Sequence, residues 1–203
     1  TMAAISTEQF PLIELSGTPH DIGLQHGKIL NGRIRACIAF YKKVFAMPDQ
    51  EILERARHFQ KVIQQFSADY AAEIEAIAEG ADVDPLWVYA LNARTEILSR
   101  NTHECTAVYF PKSSILAQNW DWAEDLERLA VLLKISRVGK PTILMMTEPG
   151  IIGKIGFNSS GVGTTLTMLK RGRVHGVPIH IMLRTVLDSA SVTEARNRIK
   201  MDI

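Results

Sequence analysis

Cys105 stands where the 203-residue sequence changes character, in His103-Glu104-Cys105-Thr106-Ala107-Val108-Tyr109-Phe110. A thiol becomes a nucleophile for acyl transfer when a base takes its proton, a charge orients that base, and donors receive the developing oxyanion. Cutting the bond between Glu104 and Cys105 would create the base in place. The new α-amine, with an ordinary pKa roughly near 8, would lie beside its own sulfur. Asp121 is the carboxylate that can hold such an amine. The segments 106–110 and 115–119 read as a hairpin about Pro111-Lys112-Ser113-Ser114, which returns Gln118-Asn119-Trp120-Asp121-Trp122 to the side of Cys105. Two plainer readings stay open. Isolated cysteines are often small buried apolar residues, and Asp121 would equally suit a turn between two core tryptophans.

Other clusters carry less. Cys37 sits in an apolar helical stretch and reads as core. His103-Glu104-Cys105 does not form a metal site, because three adjacent residues of an extended segment seldom face one ion, and no spaced pair of ligands accompanies them. The run Gly150-Ile151-Ile152-Gly153-Lys154-Ile155-Gly156 lacks P-loop spacing and a following helix, so it reads as a turn into a strand. Lys170-Arg171-Gly172-Arg173 reads as a solvated basic turn. His175 and His180 receive no role, and no Gly-x-Ser-x-Gly elbow supports a serine triad.

The elements that must position Cys105 divide into two regions. Residues 10–16 read as a short strand. Thr18-Pro19 supplies an N-cap and a first-turn proline for a helix running towards Phe45, with Gly23, Gly27 and Gly32 as points of close packing. Pro48-Asp49 opens a second helix with Ile52, Leu53, Ala56, Phe59, Val62, Ile63 and Phe66 on one face. A third spans 68–78, and Asp84-Pro85 starts a fourth with Leu86, Trp87, Ala90, Leu91 and Leu98 inward. After Cys105 the pattern predicts three strand pairs, 106–110 with 115–119, 129–136 with 142–147, and 154–157 with 162–169. Their short connections argue an antiparallel sheet. Helices follow over 178–188 and from Ser191, where Ser191-Val192-Thr193-Glu194 has capping-box spacing. The class is α+β, helices before sheet before helices.

Composition bounds the rest. Apolar residues make up 46% and charged residues 22%, ordinary for a globular domain, and the net charge of +1 offers no field for nucleic acid. No apolar run is long enough to span a membrane. The first residues lack the basic start and apolar core of a secretory signal. Two cysteines suit a reducing compartment, so the expected location is cytoplasmic, with an organelle lumen as the alternative.

Five stretches, in order, resemble the penicillin acyltransferase-like family of cysteine peptidases. They are Gly17-Thr18-Pro19-His20-Asp21-Ile22-Gly23-Leu24-Gln25-His26-Gly27, Leu91-Asn92-Ala93-Arg94-Thr95-Glu96-Ile97, Cys105-Thr106, Gln118-Asn119-Trp120-Asp121, and Gly156-Phe157-Asn158-Ser159-Ser160-Gly161-Val162. The resemblance implies an N-terminal nucleophile hydrolase, an αββα sandwich preceded by a helical pro-segment. Residues 1–104 would be the pro-segment or small subunit, and 105–203 the first part of the catalytic sandwich. By the same resemblance Cys105 is the nucleophile of self-cleavage and of acyl transfer, and Asp121 orients the new amine, with Gln118 and Asn119 beside it. Thr167 and Met168 offer backbone N–H to the oxyanion. Arg94 and Glu96 form an ion pair near the scissile bond, or serve structure alone. The implied partners are a small-molecule acyl donor and acceptor and the chain's own cleaved fragment, with no nucleic acid and no membrane. No cofactor is implied; acyl-CoA is a candidate substrate.

Two departures from the family stand out. Glu104 occupies a position that is often Gly before the nucleophile, which limits the backbone strain available to an N-to-S shift. The stretch after Cys105 is shorter than the family's second part and does not reach the Asn that completes the oxyanion hole, so the expectation is a portion of a longer protein. Two functions are therefore weighed. One is a self-processing amidohydrolase or acyltransferase. The other is a non-catalytic scaffold or stalled precursor in which Cys105 is a buried structural thiol.

Overall fold

A computed structural model describes residues 9–98, 105–167 and 176–200. The first strand, β1 (Leu12–Ser16), leads into a helix whose start is sealed on both sides. Thr18 Oγ1 accepts from the Asp21 N–H at 3.2 Å, and Asp21 Oδ2 accepts from the Thr18 N–H at 3.0 Å, a capping box that starts α1 (Pro19–Ile29). Next come α2 (Asn31–Phe45), α3 (Asp49–Phe66), α4 (Ala68–Ala81), α5 (Pro85–Asn92) and the single turn α6 (Arg94–Ile97).

Two helices expected to be continuous are broken. The stretch from Pro19 to Phe45 bends at Leu30 (φ −106°, ψ 17°), where Asn31 Nδ2 and Arg35 Nη2 each donate to the Ala81 carbonyl at 2.9 Å. Those carbonyls at the end of α4 have no partner within their own helix, and turning α2 supplies one. The stretch from Pro85 to Leu98 bends at Ala93 (φ −111°, ψ 19°). There Asn92, fully buried, donates to the Gly150 carbonyl at 2.7 Å and accepts from the Ile152 N–H at 3.0 Å. Val88, Tyr89, Ala90 and Leu91 of α5 are buried with Asn92, as expected for Ala90 and Leu91, while Leu86 and Trp87 are only partly so.

Helices α1 and α4 cross at backbone distance. A Cβ at Gly23 would collide with the Glu73 carbonyl, and one at Gly27 with the Ile77 carbonyl, while Gly80 presses against α1 from the other side. The expected role of Gly23 and Gly27 in close packing is what the fold uses. Gly32 lies on α2, partly buried.

After Cys105 come β2 (Thr106–Phe110), β3 (Ile115–Asn119), a 3-10 turn at Glu124–Leu126, β4 (Val131–Ser136), β5 (Ile143–Thr147), β6 (Ile155–Asn158), β7 (Gly163–Thr164), α7 (Ile179–Leu187) and α8 (Val192–Lys200). These strands do not make one antiparallel sheet of consecutive pairs. The main sheet is mixed, in order β1-β4-β5-β6-β7, with β1 running parallel to β4 from Leu12↔Leu132 to Ser16↔Ser136 and the other pairs antiparallel. The hairpin β2–β3 stands apart as its own two-stranded sheet. Alternation reveals a strand but not its neighbour, so neither the partner of β1 nor the separation of the hairpin follows from pattern. Of the strand expected over 162–169, the described part, up to Thr167, is a strand only at Gly163–Thr164, because Leu166 bonds to Gln118 instead of continuing the ladder. At α8 the expected cap forms, Ser191 Oγ accepting from the Glu194 N–H, while the return bond goes one residue earlier, Glu194 accepting from the Ala190 N–H.

Val131, Leu133, Ile135, Ile143 and Met145 turn one face of the sheet into a core shared with Ile22, Ile34, Ile52, Ile63, Ile74, Ile77 and Leu91 of the helices. Two features cross this core. Arg184 on α7 makes a bidentate pair with Glu73 on α4 at 2.8 and 2.9 Å, and Tyr70 donates to Asp188 at 2.8 Å. The segment from Thr147 to Lys154, between β5 and β6, is buried along its whole length. Among the described residues no helix is long and apolar enough to cross a membrane.

Two outcomes test this fold. Gly27→Ala should lower stability by about 1–3 kcal/mol in urea unfolding, because overpacking against backbone exceeds the gain of up to about 1 kcal/mol in helix propensity. His26 gives a pH signature. Its Nε2 accepts from the Gly150 N–H at 3.0 Å, and burial, helped by Arg184, pulls its pKa down to about 3. The unfolded chain binds that proton near 6.5, so acidification below 6.5 costs stability, roughly 2–3 kcal/mol of it by pH 4.5. In His26→Gln the unfolding free energy should fall less between neutral pH and pH 4.5 than in the wild type.

Candidate functional site

The hairpin does what its sequence promised. Ser114 takes a left-handed conformation (φ 52°) in the turn, and the register pairs Phe110 with Ile115 and Thr106 with Asn119. The end of β3 thus returns beside Cys105. Thr106, the residue after Cys105, donates its N–H to Asn119 Oδ1 at 2.7 Å, and Asn119 Nδ2 donates to Asp121 Oδ2 at 2.6 Å. Asp121 is thereby linked through one side chain to the backbone next to Cys105. Asp121 is exposed and Cys105 half-buried.

Gln118 makes a reciprocal pair with Leu166, donating to its carbonyl at 2.6 Å and accepting from its N–H at 2.8 Å. That tie carries the segment ending in the exposed Thr167 to the hairpin. Met168 and Glu104, the other half of the suggested oxyanion pair and the residue before the scissile bond, lie outside the described residues.

Cys105 lines a small, partly open pocket together with Arg94, Gln118, Trp120, Trp122, Lys154, Ile155 and Leu166. Behind its wall lies Glu148, with no exposed surface. Tyr41 donates to Glu148 Oε1 at 2.5 Å, Arg94 Nη2 stands 3.3 Å from the same oxygen, and Lys154 pairs with Oε2. Burial alone would raise the Glu148 carboxyl, but Arg94 and Lys154 hold it well below the usual carboxylate range. Burial pulls Lys154 down to about 7, with Glu148 resisting and Arg94 assisting. Arg94 stays charged: burial works against it, and Glu148 with Tyr41 pushes its pKa above the ordinary value. Two cations on one carboxylate leave positive charge behind the pocket, the sign that favours an oxyanion.

The expected ion pair of Arg94 with Glu96 is replaced. Arg94 turns at the Ala93 bend towards Glu148, while Glu96 accepts the Ile179 N–H at 2.8 Å and so holds the start of α7. Cys37, by contrast with Cys105, is fully buried, and burial pushes its thiol far up, as a core cysteine should behave.

Sequence reasoning gave no functional role to Trp120, Trp122, Lys154, Ile155 and Leu166 of the pocket lining, nor to Glu148 behind it. A signal was present. From Ile143 to Phe157 the only charges are Glu148 and Lys154, one of each sign in an otherwise apolar and glycine-rich run. Charges in such a setting are seldom buried unless paired.

Comparison with known proteins gives matches of two kinds. Residues 109–201 match the family model described as acyl-coenzyme A:6-aminopenicillanic acid acyl-transferase. The chain is 35% identical over 198 residues to a protein of Emericella nidulans named acyl-coenzyme A:6-aminopenicillanic-acid-acyltransferase 40 kDa form. That similarity takes in 92% of this chain and 56% of the relative, so the chain spans little more than half the relative's length. At that identity and coverage, the chain belongs to the acyl-coenzyme A:6-aminopenicillanic acid acyl-transferase family.

Proposed function

We propose that the chain is a self-processing cysteine acyltransferase or amidohydrolase of the N-terminal nucleophile type, with the αββα sandwich that type implies. Residues 1–104 form the small subunit and 105–203 the catalytic part. The observation that carries the reading is the half-buried Cys105 in a pocket backed by Arg94 and Lys154, with Asp121 tied to the backbone beside it.

In processing, the Cys105 sulfur loses its proton and attacks the Glu104 carbonyl carbon. The C–S bond forms, the C–N bond breaks, and the departing nitrogen takes the proton. Water then hydrolyses the thioester, leaving a Glu104 carboxylate and a free Cys105 thiol with its own α-amine. In turnover that amine, oriented by Asp121, accepts the thiol proton while sulfur attacks an acyl thioester or amide. The proton goes to the leaving thiol or amine. Water or an amine then takes the acyl group from the thioester enzyme. The relative's name indicates acyl-coenzyme A as donor and an amine as acceptor, and the same classes are proposed here as substrates, with no cofactor. The cleaved pro-segment stays as the second subunit.

Intact mass under denaturing conditions tests this, wild type beside Cys105→Ala. Wild type should give two fragments divided between Glu104 and Cys105, and Cys105→Ala a single mass with no acyl transfer. Full acyl transfer by Cys105→Ala would sink the mechanism. A thiol reagent provides an independent check: Cys105 should label in the native protein and Cys37 only after unfolding. Protection of both until unfolding would favour the scaffold reading.

A further inference from the structure

Two tryptophans flank Asp121, and each lies against a cation held by the same buried carboxylate. Lys154 Nζ stands 3.5 Å from the centre of the Trp120 ring, and the Arg94 guanidinium carbon 4.8 Å from the centre of the Trp122 ring. Both cations pair with Glu148. Strand β3 ends at Asn119, so the ladder no longer holds residues 120–122. Asp121 itself is exposed and bonds to Asn119. The rings on either side seat this strand end against the core and the pocket.

The energetics favour a positioning role over a purely stabilising one. A buried ion pair is a weak source of stability, often replaceable by apolar residues of similar size at no loss. A desolvated cation is attracted to an indole face, and the attraction acts only while ring and cation stay in register. We propose that Lys154, backed by Glu148, is a positioning residue that clamps Trp120 and thereby fixes Asp121 beside Cys105, with Arg94 holding Trp122 in the same way. This rests on the roles given above to Cys105 and Asp121.

The groups around Lys154 separate by titration. Glu148 follows β5, Arg94 comes from α6, Cys37 and Tyr41 from α2, His180 from α7, and Cys105 lies across the pocket. Burial holds His180 well below its ordinary value and pushes Cys37 and Tyr41 up, Glu148 lies low and Arg94 high. Of Glu148, Arg94, Cys37, Tyr41, His180 and Lys154, only Lys154, at about 7, changes charge near neutrality.

The first arm of the test is tryptophan emission across neutral pH in the full chain carrying Cys105→Ala, which keeps it uncut and without the new amine. Emission should titrate at about pH 7, and Trp120→Phe should remove the transition. Lys154→Arg should hold the acid-side spectrum at every pH, and Lys154→Met the alkaline-side one. In the chain with Cys105 intact, Lys154→Met should slow processing on the order of 10-fold to 100-fold, and Lys154→Arg should restore it to within a few-fold of wild type. A transition that persists in Lys154→Arg, or processing at the wild-type rate in Lys154→Met, would overturn the clamp. If Lys154→Met does not fold, the Lys154→Arg and Trp120→Phe titrations still decide it. If the wild type is not processed at all, the proposed function fails, and the emission arm still reports whether Lys154 holds Trp120.

Discussion

A loop buried along its whole length constrains everything around it. Between Thr147 and Lys154 the backbone has no water to bond with, so its polar groups must find protein partners or cost about 1–3 kcal/mol each. The partners come from five helices. His26 on α1 accepts from Gly150, Asn92 on α5 grips Gly150 and Ile152, and Arg184 on α7 donates to the Ile152 carbonyl. His180, also on α7, bonds the Gly153 carbonyl, and the Glu148 carboxylate is met from α2 and α6 by Tyr41 and Arg94. Removing His26, Asn92 or Arg184 takes from a buried backbone group of the loop the side chain that bonds it. The loop is therefore the place where the helical region and the sheet must agree.

Seen from that loop, the two charged networks form one arrangement. Arg184 reaches from the Ile152 carbonyl to Glu73 on α4, the helix that α1 crosses at its glycines. Lys154, at the far end of the loop, reaches Glu148 and the face of Trp120 in the pocket wall. A side chain at Gly23 or Gly27 would push α1 from α4, moving His26 off Gly150 and disturbing the loop that presents Lys154. Packing at a helix crossing and electrostatics at the pocket are in this way linked through a few named bonds.

Local signals in the sequence located most elements. Thr18 and Ser191 marked helix starts, alternation marked the hairpin, and the short turn Pro111–Ser114 brought Asp121 near Cys105 by geometry alone. What escaped were the consequences of contacts distant along the chain. The breaks at Leu30 and Ala93 exist because Asn31, Arg35 and Asn92 answer carbonyls and N–H groups elsewhere, and no helical period records that. The parallel pairing of β1 with β4 spans the whole helical region. Arg94 looked like a partner for Glu96, two residues on, since the sequence could not show that Ala93 turns it towards Glu148. The return of Asp121 to the side of Cys105 was legible because the hairpin is short; the pairing of Lys154 with Glu148 was not, because it depends on their burial.

Strand β1 comes before the helices, yet it forms an edge of the sheet whose remaining strands all come after Cys105. A chain severed anywhere between Leu98 and Cys105 would yield pieces that share one sheet and one core. Parting them would mean stripping a five-residue ladder and exposing both halves of that core together, so the pieces would separate no faster than the sheet itself opens. The association would be held by an unfolding barrier rather than by a docking affinity, and dilution alone would do little to reverse it.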